Sequence, residues 1–392
     1  MTVANRWRLP DGVDEVLPAQ ARQVEHARRE LLDYFGRWGY ELVIPPLMEY
    51  TDSLLLDLGS DVDLFAFKLT DQLSGKTMAI RPDITPQVAR IDAHSLKREG
   101  VVRLCYAGSV LHTKAKSLLA SRSPIQIGAE LFGCEGLQGD IEIISLMLGM
   151  LDAAGIEGCH LDLGHVGIYR AIVEASGLSQ AIQAELFDAL QRKASAEIDA
   201  LLAQAGIDEQ VAEQLRALVT LNGDRGVLDE ARHILANVPE AMAALDELVS
   251  VAEVLLQRYP ALVLHFDLSE LRGYEYHTGL VFAALAPGYG QALTNGGRYN
   301  DIGAAFGRSR AATGFSADLR ALVQFADFQS AAAGSIFVPY ALSQLAWQEV
   351  QRLRAVGESV VCALEEGYKP DDQCDRVLRL DGDQWLVESL NV

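Results

Sequence analysis

Near the start of the chain, apolar residues recur three and four positions apart, which is the spacing of one face of a helix. The pattern covers residues 20–38 and predicts an amphipathic helix that ends at Gly39. Residues 40–44 then have the pattern of a strand, and Pro45-Pro46 ends it because proline cannot donate to a ladder hydrogen bond. The chain is therefore predicted to begin with a helix, a strand and a proline pair.

Strand patterns dominate the next part of the chain. Residues 64–70 and 77–81 flank the turn-forming Ser74-Gly75-Lys76, which predicts an antiparallel hairpin. Thr85-Pro86 has the chemistry of a helix start, with a hydroxyl group before a proline in the first turn. Further strands are predicted at 101–107, 125–132, 261–268, 279–284 and 291–294, and a helix at 139–154. Hairpins and helices without regular alternation indicate an α+β fold.

Changes in composition divide the chain into domains. Residues 169–259 are rich in Ala, Leu, Glu and Gln with helical spacing, and strand patterns resume after them. We interpret this segment as a helical insertion in a domain that spans residues 1–325. A polar, small-residue stretch at 327–334 predicts a linker, and the strand and helix patterns that follow predict a small α/β domain over residues 326–392.

Composition restricts the classes of function. Of the 392 residues, 49% are hydrophobic and 22% are charged, which is typical of a globular protein with a packed core. The formal charge of -21 repels a phosphate backbone, so nucleic acid is a disfavoured partner. The five cysteines have no zinc or dithiol spacing, and neither a signal peptide nor a membrane-length apolar run is found. We expect a cytoplasmic protein with no membrane partner and no metal.

Two short motifs carry polar groups, one at a predicted strand-helix junction and one along a single face of a predicted strand. Arg81-Pro82-Asp83-Ile84-Thr85 brings charges and a hydroxyl group to a strand-helix junction, which suits a small zwitterion, although a capped helix with a surface ion pair explains the same residues. Gln126, Gly128 and Glu130 share one face of a predicted strand. That face lines either a ligand site or the solvated side of an antiparallel sheet.

Two glycine-containing segments add further candidates. Residues 271–279 combine a cation, an anion, aromatic rings and glycines at a density that is unusual for a plain turn. Asn295-Gly296-Gly297-Arg298-Tyr299 permits close backbone approach, although a simple hairpin has the same glycines. No phosphate-binding loop, metal-binding helix, nucleophile elbow or dinucleotide fingerprint is found, so no cofactor is expected.

Taken together and in this order, the segments resemble histidyl-tRNA synthetase over about the first 325 residues. The helix, strand and Pro45-Pro46 are similar to the first class II synthetase motif. Residues 81–85 resemble the family's Arg-Pro-Glu-Gly-Thr, and residues 126–133 resemble its Gln-Leu-Gly-x-Glu-x-Phe-Gly. Residues 272–276 resemble Arg-Gly-Leu-Asp-Tyr, a signature of the histidine enzyme. The resemblance implies a class II aminoacyl-tRNA synthetase-like antiparallel sheet with flanking helices.

The chain departs from that family at the two arginines that bind ATP. The second class II motif reads Phe-Arg-x-Glu in the family, whereas Leu111-His112-Thr113-Lys114 stands here. The third ends Gly-Leu-Glu-Arg-Leu, whereas Ala321 replaces its arginine here. Neutral histidine cannot reproduce the arginine fork, and alanine has no charge. Since phosphorus chemistry depends on positioned cations, we expect no amino-acid activation and no catalytic residue in this chain.

The residues that match the family's histidine-binding positions are better retained than those that match its ATP-binding positions. The resemblance implies that seven residues bind histidine or form the remnant of its pocket: Asp83, Thr85, Gln126, Glu130, Arg272, Tyr276 and Tyr299. Asp83 is one methylene shorter than the family's glutamate, and His277 stands in place of a second tyrosine. Affinity and specificity could therefore differ from those of the synthetase.

Kept histidine residues, lost ATP arginines and a tail that looks like a shortened anticodon-binding domain resemble the regulatory subunits of ATP phosphoribosyltransferase. That resemblance implies a non-catalytic subunit required by the short catalytic subunit in the first step of histidine biosynthesis. It also implies histidine as a feedback effector, no tRNA partner, and a dimer through the N-terminal helix and strand region within a hetero-oligomer. The alternatives are an active histidyl-tRNA synthetase-like enzyme and a scaffold subunit that binds no ligand.

Overall fold

The computed structural model describes residues 7–55, 63–115, 117, 120–270, 276–300, 302–326, 334–371 and 373–390. The chain divides into two compact units, Met1–Phe328 and Gln329–Val392. Within the described residues, no helix is both long enough and apolar enough to cross a bilayer.

Two sheets organise the first unit. Its strands are β1 (Glu41–Leu42), β2 (Met48–Tyr50), β3 (Phe67–Thr70), β4 (Thr77–Ile80), β5 (Val102–Ser109), β6 (Ile125–Phe132), β7 (His160–His165), β8 (Asn222–Gly223), β9 (Val263–Asp267), β10 (Leu280–Leu285), β11 (Ala292–Arg298) and β12 (Ala312–Asp318). The large sheet has the order β1-β5-β6-β12-β11-β10-β7-β9-β8, and a small sheet has the order β2-β4-β3. The hairpin predicted around Ser74-Gly75-Lys76 is confirmed, because β3 and β4 pair antiparallel.

The large sheet is antiparallel through its centre. Among the described strands of this large sheet, only the pairs β1 with β5 and β7 with β9 are parallel. The sequence patterns did not predict β2, β7 or β12. The strand β12, with the sequence ATGFSAD, consists largely of small residues and has only one β-branched and one aromatic side chain of the types that mark a strand.

The helices of the first unit are α1 (Pro18–Arg37), α2 (Thr51–Leu54), α3 (Thr85–Arg90), α4 (Leu137–Ala153), α5 (Val166–Ser176), α6 (Gln180–Gln191), α7 (Ser195–Ala205), α8 (Glu209–Leu218), α9 (Gly226–Ile234), α10 (Pro239–Arg258) and α11 (Leu319–Phe325). A π-helical turn, Ile91–Leu96, continues α3. The interpretation of residues 169–259 as an insertion stays a prediction, although α6 to α10 and the two-residue β8 lie within this segment.

The helix α1 packs on one face of the large sheet. Its buried residues Val24, Ala27, Leu31 and Phe35 follow the predicted helical spacing. The ring of Phe35 meets the ring of Phe315 in β12 edge to face, with 5.9 Å between centroids. Ile127, Ala129 and Leu131 of β6 belong to the same hydrophobic cluster. The alternate residues of β6 therefore lie on the opposite face of the sheet.

The second unit contains a four-stranded sheet and one helix. Its elements are β13 (Ser335–Val338), α12 (Trp347–Ala355), β14 (Val360–Cys362), β15 (Cys374–Asp381) and β16 (Gln384–Ser389). The sheet order is β14-β13-β15-β16, with β13 parallel to both neighbours. Val350 and Leu353 of α12 pack in one cluster with Ile336 and Val338 of β13. The last strand, β16, was not predicted; it follows a turn in which Gly382 has a φ of 59°.

Candidate functional site

The strand β6 presents Gln126, Gly128 and Glu130 on the sheet face that lies away from α1. Gln126 is 9% exposed and Glu130 is 1% exposed. This face is therefore buried, and its interpretation as the solvated side of the sheet is wrong. Tyr106 of β5 lies directly across from Gly128 in the strand register, on the same buried face.

Three hydroxyl groups donate to the Glu130 carboxyl group. Thr85 Oγ1 and Tyr106 Oη donate to Oε1 at 3.0 Å and 2.9 Å, and the Tyr299 hydroxyl donates to Oε2. Burial raises the pKa of Glu130 to about 8, because desolvation outweighs the three hydrogen bonds, which favour the ionised form. At neutral pH the carboxyl group therefore holds its proton in most molecules.

Asp83 is fixed at the start of α3. Gln126 Nε2 donates to Asp83 Oδ1 at 2.9 Å, and the backbone N–H of Thr85 donates to the same oxygen at 2.9 Å. Gln126 Oε1 accepts from the backbone N–H of Ile84 at 2.8 Å, so the amide side chain joins β6 to the beginning of α3. Within the described residues, no group donates to the second oxygen of Asp83, which leaves that oxygen available to a ligand.

A cavity of about 110 Å³ lies between these groups. One buried water needs roughly 10–15 Å³ by this measure, so the space holds a small molecule. The described residues around it include two carboxyl groups and no Lys or Arg. They are Asp83, Thr85, Gln126, Glu130, Tyr276, His277, Asn295, Gly296, Tyr299, Gly314, Phe315 and Ser316.

Tyrosines supply much of the polar lining. Burial is the main cause that raises the pKa values of Tyr106, Tyr276 and Tyr299, and the negative charge of Glu130 adds to it. All three hydroxyl groups therefore stay protonated across the physiological range and act as hydrogen-bond donors. His277 lies beside them, with its ring centroid 4.3 Å from that of Tyr276.

Glycines make the close approaches possible. A Cβ atom on Gly314 would overlap the Glu130 carboxyl group, which lies opposite it in the strand pairing. A Cβ atom on Gly128 would lie 2.6 Å from Tyr106 Oη. Glycine in a strand interior often marks such a close approach, and here it creates the space that the two polar side chains use.

The structure brings six of the seven predicted residues to this cavity: Asp83, Thr85, Gln126, Glu130, Tyr276 and Tyr299. Arg272 lies outside the described residues. The predicted binding residues did not include Tyr106, Asn295 or Ser316, although Asn295 lies in a glycine-containing segment singled out from the sequence. Tyr106 was missed because its role depends on the pairing of β5 with β6, and a single strand pattern does not specify that register.

Arg81 and Arg298 have structural positions. Arg81 is 5% exposed and donates to the carbonyl oxygens of Pro45 and Ser109 at 2.8 Å and 2.9 Å, so the surface ion pair considered for this motif is wrong. Arg298 lies inside β11 and donates to Asp140 of α4, with 2.7 Å between Nη2 and Oδ2. Residues 295–298 belong to the central strand β11, so the interpretation of this segment as a hairpin turn is also wrong.

The side that resembles an ATP site lacks the two arginines of the family's motifs, because His112 and Ala321 stand in their place. His112 is 4% exposed, and its Nε2 lies 2.9 Å from the carbonyl oxygen of Pro82. Its ring packs against Phe65 with 5.7 Å between centroids, and Lys114 lies over the same Phe65 ring. Ala321 is buried in α11, and the neighbouring Arg320 pairs with Asp14. These groups pack against protein rather than reach toward a phosphate.

Sequence models of two families match the chain. The model of histidyl-tRNA synthetase matches residues 12–322. The model of the C-terminal domain of the ATP phosphoribosyltransferase subunit HisZ matches residues 333–388. The two matches follow one another along the chain without overlap.

Curated relatives are similar over their whole length. The chain is 53% identical over 395 residues to the ATP phosphoribosyltransferase regulatory subunit of Pseudomonas syringae pv. syringae, with 100% of each chain covered. It is 54% identical over 392 residues to the protein of the same name from Alkalilimnicola ehrlichii, with 98% of each chain covered.

Solved structures share the fold. A structure from Bacillus halodurans described as an ATP phosphoribosyltransferase regulatory subunit/histidyl-tRNA synthetase has a TM-score of 0.82 and 27% identity, covering 94% of this chain and 95% of that one. Histidyl-tRNA synthetase from Nostoc sp. PCC 7120 has a TM-score of 0.77 and 17% identity, covering 98% and 97%. At 17% identity the similarity shows the fold alone. The predicted α+β fold of the class II synthetase type is confirmed.

Proposed function

Because the chain belongs to the histidyl-tRNA synthetase-like family and, within it, to the ATP phosphoribosyltransferase regulatory subunits, we propose that it binds histidine in the cavity between Asp83 and Glu130 and regulates a catalytic subunit in response. The chain itself is a regulatory and not a catalytic subunit. One observation carries the histidine proposal: the described lining has two carboxyl groups and no Lys or Arg. Such a lining favours a ligand that carries positive charge.

Each end of histidine finds a suitable group. The free oxygen of Asp83 suits the ammonium group, because Gln126 and the Thr85 amide already hold the other oxygen. Glu130 lies deeper, among the hydroxyl groups of Tyr106 and Tyr299, which suits the imidazole ring. Thr85 and Tyr276 complete the proposed site, and Arg272 is proposed from the resemblance.

The partner that we propose is the short-form catalytic subunit of ATP phosphoribosyltransferase, in the first step of histidine biosynthesis. The regulatory chain enables the partner's activity, and bound histidine reverses that effect. Such feedback requires histidine to bind one state of the assembly more tightly than the other, by an amount equal to the coupling free energy. Phosphoribosyl transfer takes place on the partner subunit.

Self-association as a dimer is supported by apolar residues on the surface of the N-terminal strand region. Leu42 is 49% exposed and Ile44 is 83% exposed, and Leu47, Met48 and Tyr50 are also among the exposed large apolar residues. These five residues, which we call the N-terminal apolar patch, lie within nine positions of one another. An exposed patch of this type is typical of a subunit interface.

Two further parts of the proposal rest on charge and on cysteines. The formal charge of -21 argues against a tRNA partner. The five cysteines are free thiols in the part of the chain that the structure describes, which supports a reducing compartment and hence the cytoplasm.

The function is tested by phosphoribosyl-ATP formation with a purified short catalytic subunit, with and without this chain, across a histidine titration. We expect activation by the chain and loss of that activation as histidine rises. The variant Asp83→Asn keeps the size of the side chain but removes its charge, so the titration should move to at least tenfold higher histidine, about 1.4 kcal/mol. Asp33→Asn, on the exposed side of α1, is the matched control.

Three results would contradict the proposal. If a competent catalytic subunit is not activated, the regulatory role in this complex is lost. If activation occurs but histidine has no effect and gives no heat in calorimetry, the chain is a scaffold without a ligand. If histidine and ATP exchange pyrophosphate on this chain alone, it is an adenylate-forming enzyme.

A further inference from the structure

The contacts of Glu130 leave room for one more hydrogen-bond partner. A carboxyl group offers about four lone-pair positions. Three are used by the hydroxyl groups of Thr85, Tyr106 and Tyr299. Because Glu130 also lines the cavity, the remaining position, which carries the proton of the neutral carboxyl, can meet a ligand.

Among the described residues, the surroundings of Glu130 contain no Lys or Arg side chain. All three of its partners are neutral hydroxyl groups, and none of the described residues that line the cavity is Lys or Arg. Ionisation of a carboxyl group that is 1% exposed is costly without a cation. The group therefore keeps its proton until a ligand brings positive charge. A neutral carboxyl beside a neutral ring carries the same single proton as a carboxylate beside a protonated ring.

Resting on the histidine binding proposed above, we infer that Glu130 and the imidazole ring of bound histidine hold one proton between them. The cavity then selects a ring that gains or loses a proton near neutral pH. Ligands with a fixed charge or with no ionisable ring must expel a proton from Glu130 or leave it without a partner. Glu130 is thus a specificity-determining residue, and Tyr106 is a positioning residue that acts through it.

Other titratable groups face the same space and belong in the proton balance. Asp83 approaches from the start of α3, and its negative charge favours the protonated form of Glu130. Tyr106 comes from β5, Tyr276 and His277 precede β10, and Tyr299 follows β11. The raised pKa values of the three tyrosines keep them from titrating in this range. The residues that β12 and β11 contribute, Asn295, Phe315 and Ser316, bring no charge.

The shared proton predicts how binding depends on pH. The ring of free histidine has a pKa of about 6.5, and burial raises the pKa of Glu130 to about 8. Between these values the separate partners already hold one proton, so binding exchanges almost none. At lower pH they hold two protons and binding releases one; at higher pH they hold none and binding takes one up. Affinity is therefore highest between about pH 6.5 and 8.

The test is calorimetry of histidine binding to the full chain in buffers of different ionisation enthalpy, at about pH 5.5, 7.2 and 9. At about pH 9 the wild-type chain should take up about 0.9 of a proton more than Glu130→Gln. The glutamine cannot titrate, and the ammonium group of histidine contributes equally in both chains. Equal proton uptake by the two chains would overturn the shared proton.

A second variant keeps the test decisive if Glu130→Gln does not fold or bind. Tyr106→Phe removes one donor that favours the ionised carboxyl, so the alkaline limit of histidine binding should move up by about one pH unit. Tyr289→Phe, whose ring packs on Phe325 and does not line the cavity, should leave the limit unchanged. An unchanged limit in Tyr106→Phe would overturn the inference. Absence of histidine binding by the wild type at every pH would instead defeat the proposed function.

Discussion

Glu130 combines deep burial with an unusual set of partners. Three neutral hydroxyl groups donate to its carboxyl, and Asp83 stands nearby with a negative charge. A catalytic site for adenylation would instead need cations close to the reacting phosphorus. At the level of single residues, the site is suited to holding a small cationic ligand and unsuited to transforming it.

The raised pKa of Glu130 makes a prediction for stability. The folded chain binds a proton at Glu130 up to about pH 8, whereas the unfolded chain releases it near pH 4.3. The unfolded state therefore binds fewer protons in this window, and the free energy of unfolding falls as pH rises through it. Urea unfolding at pH 5.5 and 7.5 should show a loss about 2.5 kcal/mol larger in the wild type than in Glu130→Gln. Equal losses in both chains would contradict the assignment.

Much of this residue set was predictable from the sequence. Asp83, Thr85, Gln126 and Glu130 lie in contiguous motifs, so their resemblance to synthetase motifs was visible without a structure. Tyr106 was not predictable, because its partner Glu130 lies 24 positions away and only the pairing of β5 with β6 brings them together. Arg81 misled because its charge suggested a surface ion pair or a ligand, whereas its guanidinium holds backbone carbonyl groups.

At the scale of elements, the cavity exists because glycines in neighbouring strands leave part of the buried sheet face without side chains. The strands β6, β12 and β11 are adjacent in the large sheet and contain Gly128, Gly314 and Gly297, and Gly314 pairs with both Glu130 and Gly297 on one face of the sheet. An added Cβ atom at Gly297 would lie 2.9 Å from His277 Nε2. Element periodicity predicted β5 and β6 well, but β12 carries too many small residues to show a strand pattern. The small residues that leave space beside Glu130 are thus the same residues that kept β12 from being predicted as a strand.

Gly314→Ala tests the importance of this space. The new methyl group would overlap the Glu130 carboxyl, so we expect histidine affinity to fall by at least tenfold, about 1.4 kcal/mol. Calorimetric titration measures this loss, with circular dichroism to confirm that the chain is folded. Gly36→Ala, at an open position of α1, is the matched control and should leave affinity unchanged. Equal affinity in Gly314→Ala would show that histidine does not use this cavity.

The whole molecule combines a large synthetase-like unit with a small second unit. Sequence patterns predicted both the helix and the first strands of the second unit, but they missed β16, which has a weak alternation and lies at the sheet edge. The exposure of the N-terminal apolar patch was also not predicted from the periodicity of the sequence. Its segment is short and contains the strands β1 and β2, which together have five residues, so exposure follows from tertiary structure rather than from pattern.

Assembly can be tested at the N-terminal apolar patch. Ile44 is 83% exposed, and Ile44→Asp would place a charge in the proposed dimer interface, where it would lose its water. We expect the dissociation constant of the dimer to rise at least tenfold in sedimentation equilibrium, with the free energy of unfolding little changed. Val263→Asp, 62% exposed at the start of β9, serves as the control for adding a charge at an exposed apolar site. Equal dissociation constants would place the dimer interface elsewhere.

The narrow space between Gly314 and Glu130 also matters for growing cells. One methyl group at Gly314, buried in the sheet, would overlap the Glu130 carboxyl group beside the cavity and leave the exposed surface of the protein as it was. The pathway would then lose inhibition by histidine, while the catalytic subunit would stay active. We expect a strain with this single replacement to continue making histidine when the supply is already sufficient and to release the surplus into the medium.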